Sequence, residues 1–275
     1  MKYIYNKGVE YLTKVKFYQL NKLNLSDNGI SDINVFEKDN LKKLKELYLN
    51  KNYISDISIL EKVNFLDLSI LDLSDNGISD INVLQKVNFT KLKVLYLYWN
   101  NISDINVFKN VNFPELNILN LSHNRISNIN ELEKANLKNL KELYLSGNSI
   151  SDISILEKVN FLDLNILDLS DNGISDINVL QKVNFTKLKE LNLASNKISN
   201  INVFEIVYFK KLKKLNLASN KISDADAKVF KKVKFKYLKE LELYDNDNLI
   251  TYPPSNSSGF PKDLMYIDKS HFLLD

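Results

Sequence analysis

The apolar positions of this chain recur with a period of 24 residues. Asn28, Asn52, Asn76, Asn100, Asn124, Asn148, Asn172, Asn196 and Asn220 keep that interval, and Asn246 follows after 26. Around each asparagine stands the frame L-x-x-L-x-L-x-x-N-x-I, as in Leu68, Leu71, Leu73, Asn76 and Ile78 and again in Leu164, Leu167, Leu169, Asn172 and Ile174. Ten copies fit, with first leucines from Leu20 to Leu238. The last two leucines alternate with an outward residue, which is the period of a half-buried strand. Stacked coils would pair these strands in parallel at about 4.8 Å per coil, so ten coils give a face roughly 45–50 Å long. After the asparagine, Ile81, Leu84 and Val87 recur every three positions, which predicts a 3₁₀ turn or short helix on the outer side. Asp80 and its equivalents Asp32, Asp56, Asp104, Asp152 and Asp176 precede that turn and suit its N-cap. Phe65, Phe89, Phe113, Phe161, Phe185, Phe209 and Phe235 should form an aromatic spine through the core.

Ten in-phase copies of this frame resemble the leucine-rich-repeat family, over residues 9–249, and N-x-I-S-D-I is closest to its short-repeat intracellular and bacterial types. The resemblance implies an α/β solenoid that is curved, with parallel strands on the concave face and short helices or 3₁₀ turns on the convex side. It also implies that each asparagine amide bonds backbone groups of neighbouring coils.

An open array needs capped ends. Val9, Leu12, Val15 and Phe17 match Ile81, Leu84, Val87 and Phe89 at an offset of 72, so residues 1–19 read as a half-repeat cap. Residues 20–249 carry the ten repeats. In 250–275 a Pro/Ser/Asn loop precedes a degenerate capping coil, with Leu264 and Ile267 each 26 residues after Leu238 and Leu241. The ninth coil is longer, and residues 226–233 read as a helical turn or two. Residues 54–93 and 150–189 are identical at 39 of 40 positions, Ser69 and Asn165 being the exception, which reads as duplication of a four-coil block.

Little points to catalysis. With no cysteine, there are no disulfides, thiolate metal sites or cysteine nucleophiles. The two histidines, His123 and His271, lie on different coils. The Ser-Asp pairs recur too often to be catalytic, and no phosphate-binding, zinc or EF-hand motif is present. An enzyme, a cofactor and a metal are therefore not expected. The N-terminus lacks the apolar run of a secretory signal, and no apolar stretch is long enough to span a membrane. Sequons such as Asn24-Leu25-Ser26 and Asn120-Leu121-Ser122 fall on strands, where a glycan would obstruct the inner face. Together these favour a cytoplasmic, monomeric protein.

Only positions the frame leaves free can carry specificity. The outward strand residues include Tyr48, Asp72, Tyr96, Tyr144 and Asp168. Tyr98, Trp99 and His123 follow just beyond the strands. Trp99, the single tryptophan, occupies a position that holds Asp, Lys, Ser or Gly in the other coils except that of His123. Tyrosine and tryptophan dominate binding hot spots, although aromatics also favour strands. The expected function is a protein-interaction scaffold gripping an unidentified protein on its concave face through these residues. A phosphatase-regulating subunit is a narrower form that the resemblance allows. An alternative site is residues 210–239, where 11 lysines face two aspartates, a local +9 in a chain of net charge +3. That segment is either a solvated end or a binder of an anionic surface, whether acidic protein, membrane or nucleic acid. Nucleic acid is disfavoured because no aromatic surface with interleaved lysines is evident. A host-directed bacterial effector or adhesin is a third class.

Overall fold

A computed structural model describes residues 5–246, except 16, 38–40 and 234, together with the backbone of Met265–Tyr266. The chain forms two compact units, Met1–Glu142 and Leu143–Asp275.

In the first unit a short helix, α1 (Tyr5–Val9), runs into a 3₁₀ turn at Glu10–Thr13. Strands β1 (Lys22–Asn24), β2 (Glu46–Tyr48), β3 (Ile70–Asp72), β4 (Val94–Tyr96) and β5 (Ile118–Asn120) follow. Each pairs with the next in parallel, one period apart, so that Leu23, Leu47, Leu71, Leu95 and Leu119 form one buried row. The unit boundary falls inside β6 (Glu142–Tyr144). In the second unit β7 (Ile166–Asp168), β8 (Glu190–Asn192), β9 (Lys214–Asn216) and β10 (Glu240–Glu242) repeat the arrangement. The strands and 3₁₀ turns expected from the 24-residue frame are thus present in both units.

Each coil turns for identifiable reasons. The residue before the repeat asparagine has a left-handed backbone in all ten coils, from Asp27 at φ 57° to Asp245 at φ 54°. The asparagine side chain then holds the turn. Asn52 Nδ2 donates to the carbonyls of Leu25 (3.0 Å) and Leu49 (2.8 Å), and its Oδ1 accepts from the Ile30 N–H at 2.9 Å. Asn100 repeats this with Leu73, Leu97 and Ile78, and Asn196 with Leu169, Leu193 and Ile174. One buried amide so links two coils and satisfies backbone groups that would cost about 1–3 kcal/mol each if left alone.

On the outer side, Asp80 Oδ1 accepts from the Asn82 N–H at 2.8 Å at the start of the 3₁₀ turn Asn82–Gln85. Asp32, Asp56, Asp104, Asp152 and Asp176 do the same. The backbone N–H of Ser58 holds the Asp56 carboxyl below its usual range, and Ser154 does so for Asp152. The phenylalanine spine is buried, with Phe65 and Phe89 stacked at 6.5 Å and Phe209 and Phe235 at 6.4 Å.

Two details depart from the sequence reading. Val9 is buried as expected, but Val15 is exposed. Helix α2 (Asp224–Ala227) begins two residues earlier than the expected span and passes into a 3₁₀ turn at Lys228–Lys231. Its start is set by Ser223 and Asp226, which cap each other's backbone N–H groups. Most of the expected C-terminal coil lies outside the described residues, as does His271. Its strand β11 (Met265–Tyr266) pairs parallel with β10, placing Tyr266 opposite Leu241. That offset is 25 residues, one short of the interval read from Ile267, because the loop between carries no repeat frame to pin the register.

Candidate binding surface

The strand residue between the two inner leucines serves two different ends. Where it is Asn or Asp, its side chain caps its own strand. Asn24, Asn120, Asn192 and Asn216 each accept, through Oδ1, from the N–H two residues on. Asp72 accepts from the Ser74 N–H at 3.0 Å and the Ser74 hydroxyl at 2.5 Å, and Asp168 does likewise with Ser170. One carboxylate oxygen of each aspartate is thus engaged within its own coil. Their surroundings also differ, although they sit in sequence blocks that differ only at Ser69 and Asn165. Asp72 lies between Tyr48 and Tyr96 on the adjacent strands and is only 7% exposed, whereas Asp168 has the shorter Asn192 beside it and is half-buried. Burial raises the Asp72 carboxyl above its usual range, opposed by the bonds from Ser74.

This gives a stability prediction. Asp72→Asn should keep the cap, since four asparagines already make it, and should remove a partly desolvated charge. Because the folded pKa is raised, the protonated carboxyl is the form the fold favours. The native protein therefore loses stability relative to the Asp72→Asn variant as pH rises through that pKa, and the two converge in acid. Urea unfolding of both proteins across the acid-to-neutral range checks the sign.

The tyrosines at the same position are half-buried. The Tyr48 hydroxyl donates to Glu46 Oε2 at 3.1 Å, and the Lys22 ammonium lies 4.9 Å from its ring centre while also pairing with Glu46 at 2.9 Å. Sequence reasoning missed Lys22 and Glu46, which stand two residues before Asn24 and Tyr48 on the same strand face. The two-residue strand period was the signal that could have found them. Tyr144 and Asp168 belong to the second unit, where they line a shallow depression with Asn192, Lys214, Asn216 and Glu242.

Tyr96, Tyr98, Trp99 and His123 form two ring pairs, on adjacent coils of the first unit. The Tyr96 and Tyr98 rings meet edge to face at 6.1 Å. The Trp99 and His123 rings stack 4.2 Å apart and 14° from parallel. Trp99 is 56% exposed, and Arg125 beyond it is also exposed. Trp99 and His123 both occupy the left-handed position, at φ 54° and 53°. Bulky side chains are disfavoured there by roughly 1–2 kcal/mol. The backbone holds Trp99 in place on both sides, its N–H donating to Ser122 O at 3.0 Å and its carbonyl accepting from the Asn76 N–H at 3.2 Å.

The lysine-rich segment also differs from expectation. Tyr208 and Tyr237 are exposed, with the ammonium groups of Lys210 and Lys236 each 5.3 Å from the neighbouring ring centre. Aromatic side chains are thus interleaved with lysines, contrary to the sequence reading. The signal that could have found them was their spacing from Phe209 and Phe235 in the repeat frame.

Among the described residues no helix is long and apolar enough to cross a membrane, and no group of three His, Cys, Asp or Glu side chains could hold a metal ion.

Comparison with known proteins agrees with this architecture. Residues 19–62 and 114–158 match the family described as leucine-rich repeats (2 copies), and 186–201 and 210–231 match the leucine-rich repeat family. An internalin (InlF) of Listeria monocytogenes is 30% identical over 94% of this chain and 82% of its own, with a TM-score of 0.58. A leucine-rich-repeat protein of Leptospira interrogans is 26% identical over 84% of this chain and 56% of its own, with a TM-score of 0.67. A plant peptide hormone receptor solved with its peptide shares the fold, at 21% identity over 86% of this chain and 42% of its own and a TM-score of 0.57. No curated protein sequence matches. With its repeat frame, its one-period parallel register and its likeness to the internalin over most of both chains, this protein belongs to the leucine-rich-repeat family.

Proposed function

We propose that the protein is a binding scaffold that holds a protein partner on the concave strand face, with Tyr96, Tyr98, Trp99 and His123 as the anchor. The leucine-rich-repeat fold is generally a protein–protein interaction scaffold. The observation that carries the site is Trp99 itself. An exposed indole stands at a left-handed position that the fold fills more easily with Asp, Ser or Gly, and it is stacked on a second bulky ring in the same strained state. Strain of this kind persists where the side chain has a use. Two edge-to-face tyrosines beside the stack add rigid, amphipathic contact area. Tyr48 extends the surface. Asp72 and Asp168 shape it through their caps rather than by direct recognition. Binding, not catalysis, is the role this surface supports.

Affinity capture from the source organism tests this reading, with native protein and Tyr96→Ala run in parallel. A partner held by the native chain should be bound at least about tenfold more weakly by the variant. Equal retention by both would remove the cluster as the site.

A further inference from the structure

The basic end of the second unit carries a surface that is separate from the aromatic cluster and independent of its role. Phe209 and Phe235 stack at 6.4 Å, and the Lys239 N–H donates to Lys213 O at 2.8 Å, so 209–213 and 235–239 lie side by side on adjacent coils, with Ile206 and Tyr208 just before the first stretch. One coil presents Ile206, Tyr208, Lys210 and Lys211; the next presents Lys236 and Tyr237. All six are exposed, Ile206 at 65% and Tyr208 at 67%. Neighbouring Lys214 and Lys232 are ion-paired with Glu240 and Glu205. Among the described residues, Lys210, Lys211 and Lys236 form no such pair.

Three ligand classes would answer a basic patch, and the side chains discriminate between them. Stacking of nucleic-acid bases needs open ring faces. Here one face of each ring, Tyr208 and Tyr237, is taken by the ammonium of Lys210 or Lys236. Arginine, the usual partner for bidentate phosphate and base contacts, is absent from the segment, Arg125 being the only one in the chain. An acidic protein would satisfy the lysines but leaves Ile206 unexplained, an aliphatic side chain standing out among charges. A bilayer surface accounts for all three residue types. Tyrosine favours the headgroup level, lysine is drawn to anionic lipid while its stem lies along apolar surface, and an aliphatic side chain enters the acyl boundary. We propose that Ile206, Tyr208, Lys210, Lys211, Lys236 and Tyr237 form a docking surface for an anionic phospholipid bilayer.

Vesicle co-sedimentation of the full chain tests it. The probes are phosphatidylcholine vesicles with and without about 30 mol % phosphatidylserine, and a fluorescent single-stranded oligonucleotide is run alongside. Binding is expected to the anionic vesicles alone and should weaken at least about tenfold as salt rises from roughly 0.1 to 0.5 M. The triple change Lys210→Glu, Lys211→Glu and Lys236→Glu should lower it at least about tenfold. Ile206→Ser should lower it about threefold with the charge unchanged. A charge-matched control in the first unit, Lys51→Glu with Lys138→Glu and Lys141→Glu, should retain most of the binding, and circular dichroism shows that each variant is folded. Failure to bind anionic vesicles would overturn the proposal. So would tighter binding to the oligonucleotide, no effect of Ile206→Ser, or an equal loss in the control.

Discussion

Asn100→Leu should destabilise the protein by about 3 kcal/mol, although leucine is apolar and the site is buried. The amide of Asn100 does three things at once. Its Oδ1 accepts from the Ile78 N–H, and its Nδ2 donates to the carbonyls of Leu73 and Leu97. Those carbonyls keep a second donor, from Asn76 and Asn124. The Ile78 N–H loses its side-chain partner while fully buried. Asn100→Asp should be at least as damaging, because a carboxylate would face two carbonyl oxygens without a proton to give. Each coil leans on its neighbours, so the defect should also loosen coupling along the stack and lower the denaturant slope as well as the midpoint. Urea unfolding followed by circular dichroism reads both. A loss below about 1 kcal/mol for Asn100→Leu would mean that the asparagine ladder does not hold the coils.

Trp99→Gly should separate binding from stability. Glycine already serves at the equivalent position in Gly147, at φ 65°. The substitution removes the cost of a bulky residue in the left-handed region, about 1 kcal/mol. It also removes the stack on His123, worth about 0.5–1.5 kcal/mol. These offset, so stability should stay within about 1 kcal/mol of the native chain. Partner affinity should fall by about 2 kcal/mol or more, some thirtyfold. Trp99→Ala loses the same contacts but keeps the backbone cost, so it should be less stable than Trp99→Gly by about 1 kcal/mol. Equal stability of the two variants would mean that Trp99 carries no backbone strain.

The periodic part of this molecule was legible in the sequence because each repeated residue has a fixed structural job. Leu71, Leu73, Asn76, Ile78 and Asp80 stand where the frame puts them, and the bonds of Asn52, Asn100 and Asn196 are those the family resemblance implied. The binding face was only partly legible. Its outward positions could be counted, but not what each side chain does there. Asp72 and Tyr96 occupy equivalent positions, yet one caps a backbone N–H beneath its neighbours and the other packs edge to face on Tyr98. That difference depends on side-chain length and on the residues one coil away. The left-handed backbone at Trp99 and His123 was also hidden, since only the column of Asp, Ser, Lys and Gly hinted at it. At the ends the frame gave out, as the exposed Val15 and the 25-residue register of β11 show.

The central claim is that the Trp99 cluster touches the partner, and Trp99 is the only tryptophan in the chain. Protein grown with fluorotryptophan therefore gives a single fluorine NMR signal from this position, and an unlabelled partner stays silent. On addition of the captured partner to saturation, the Trp99 resonance should shift or broaden, and its response to solvent should fall as the indole is covered. A complex that forms while the Trp99 signal keeps its position, width and solvent response would contradict the account.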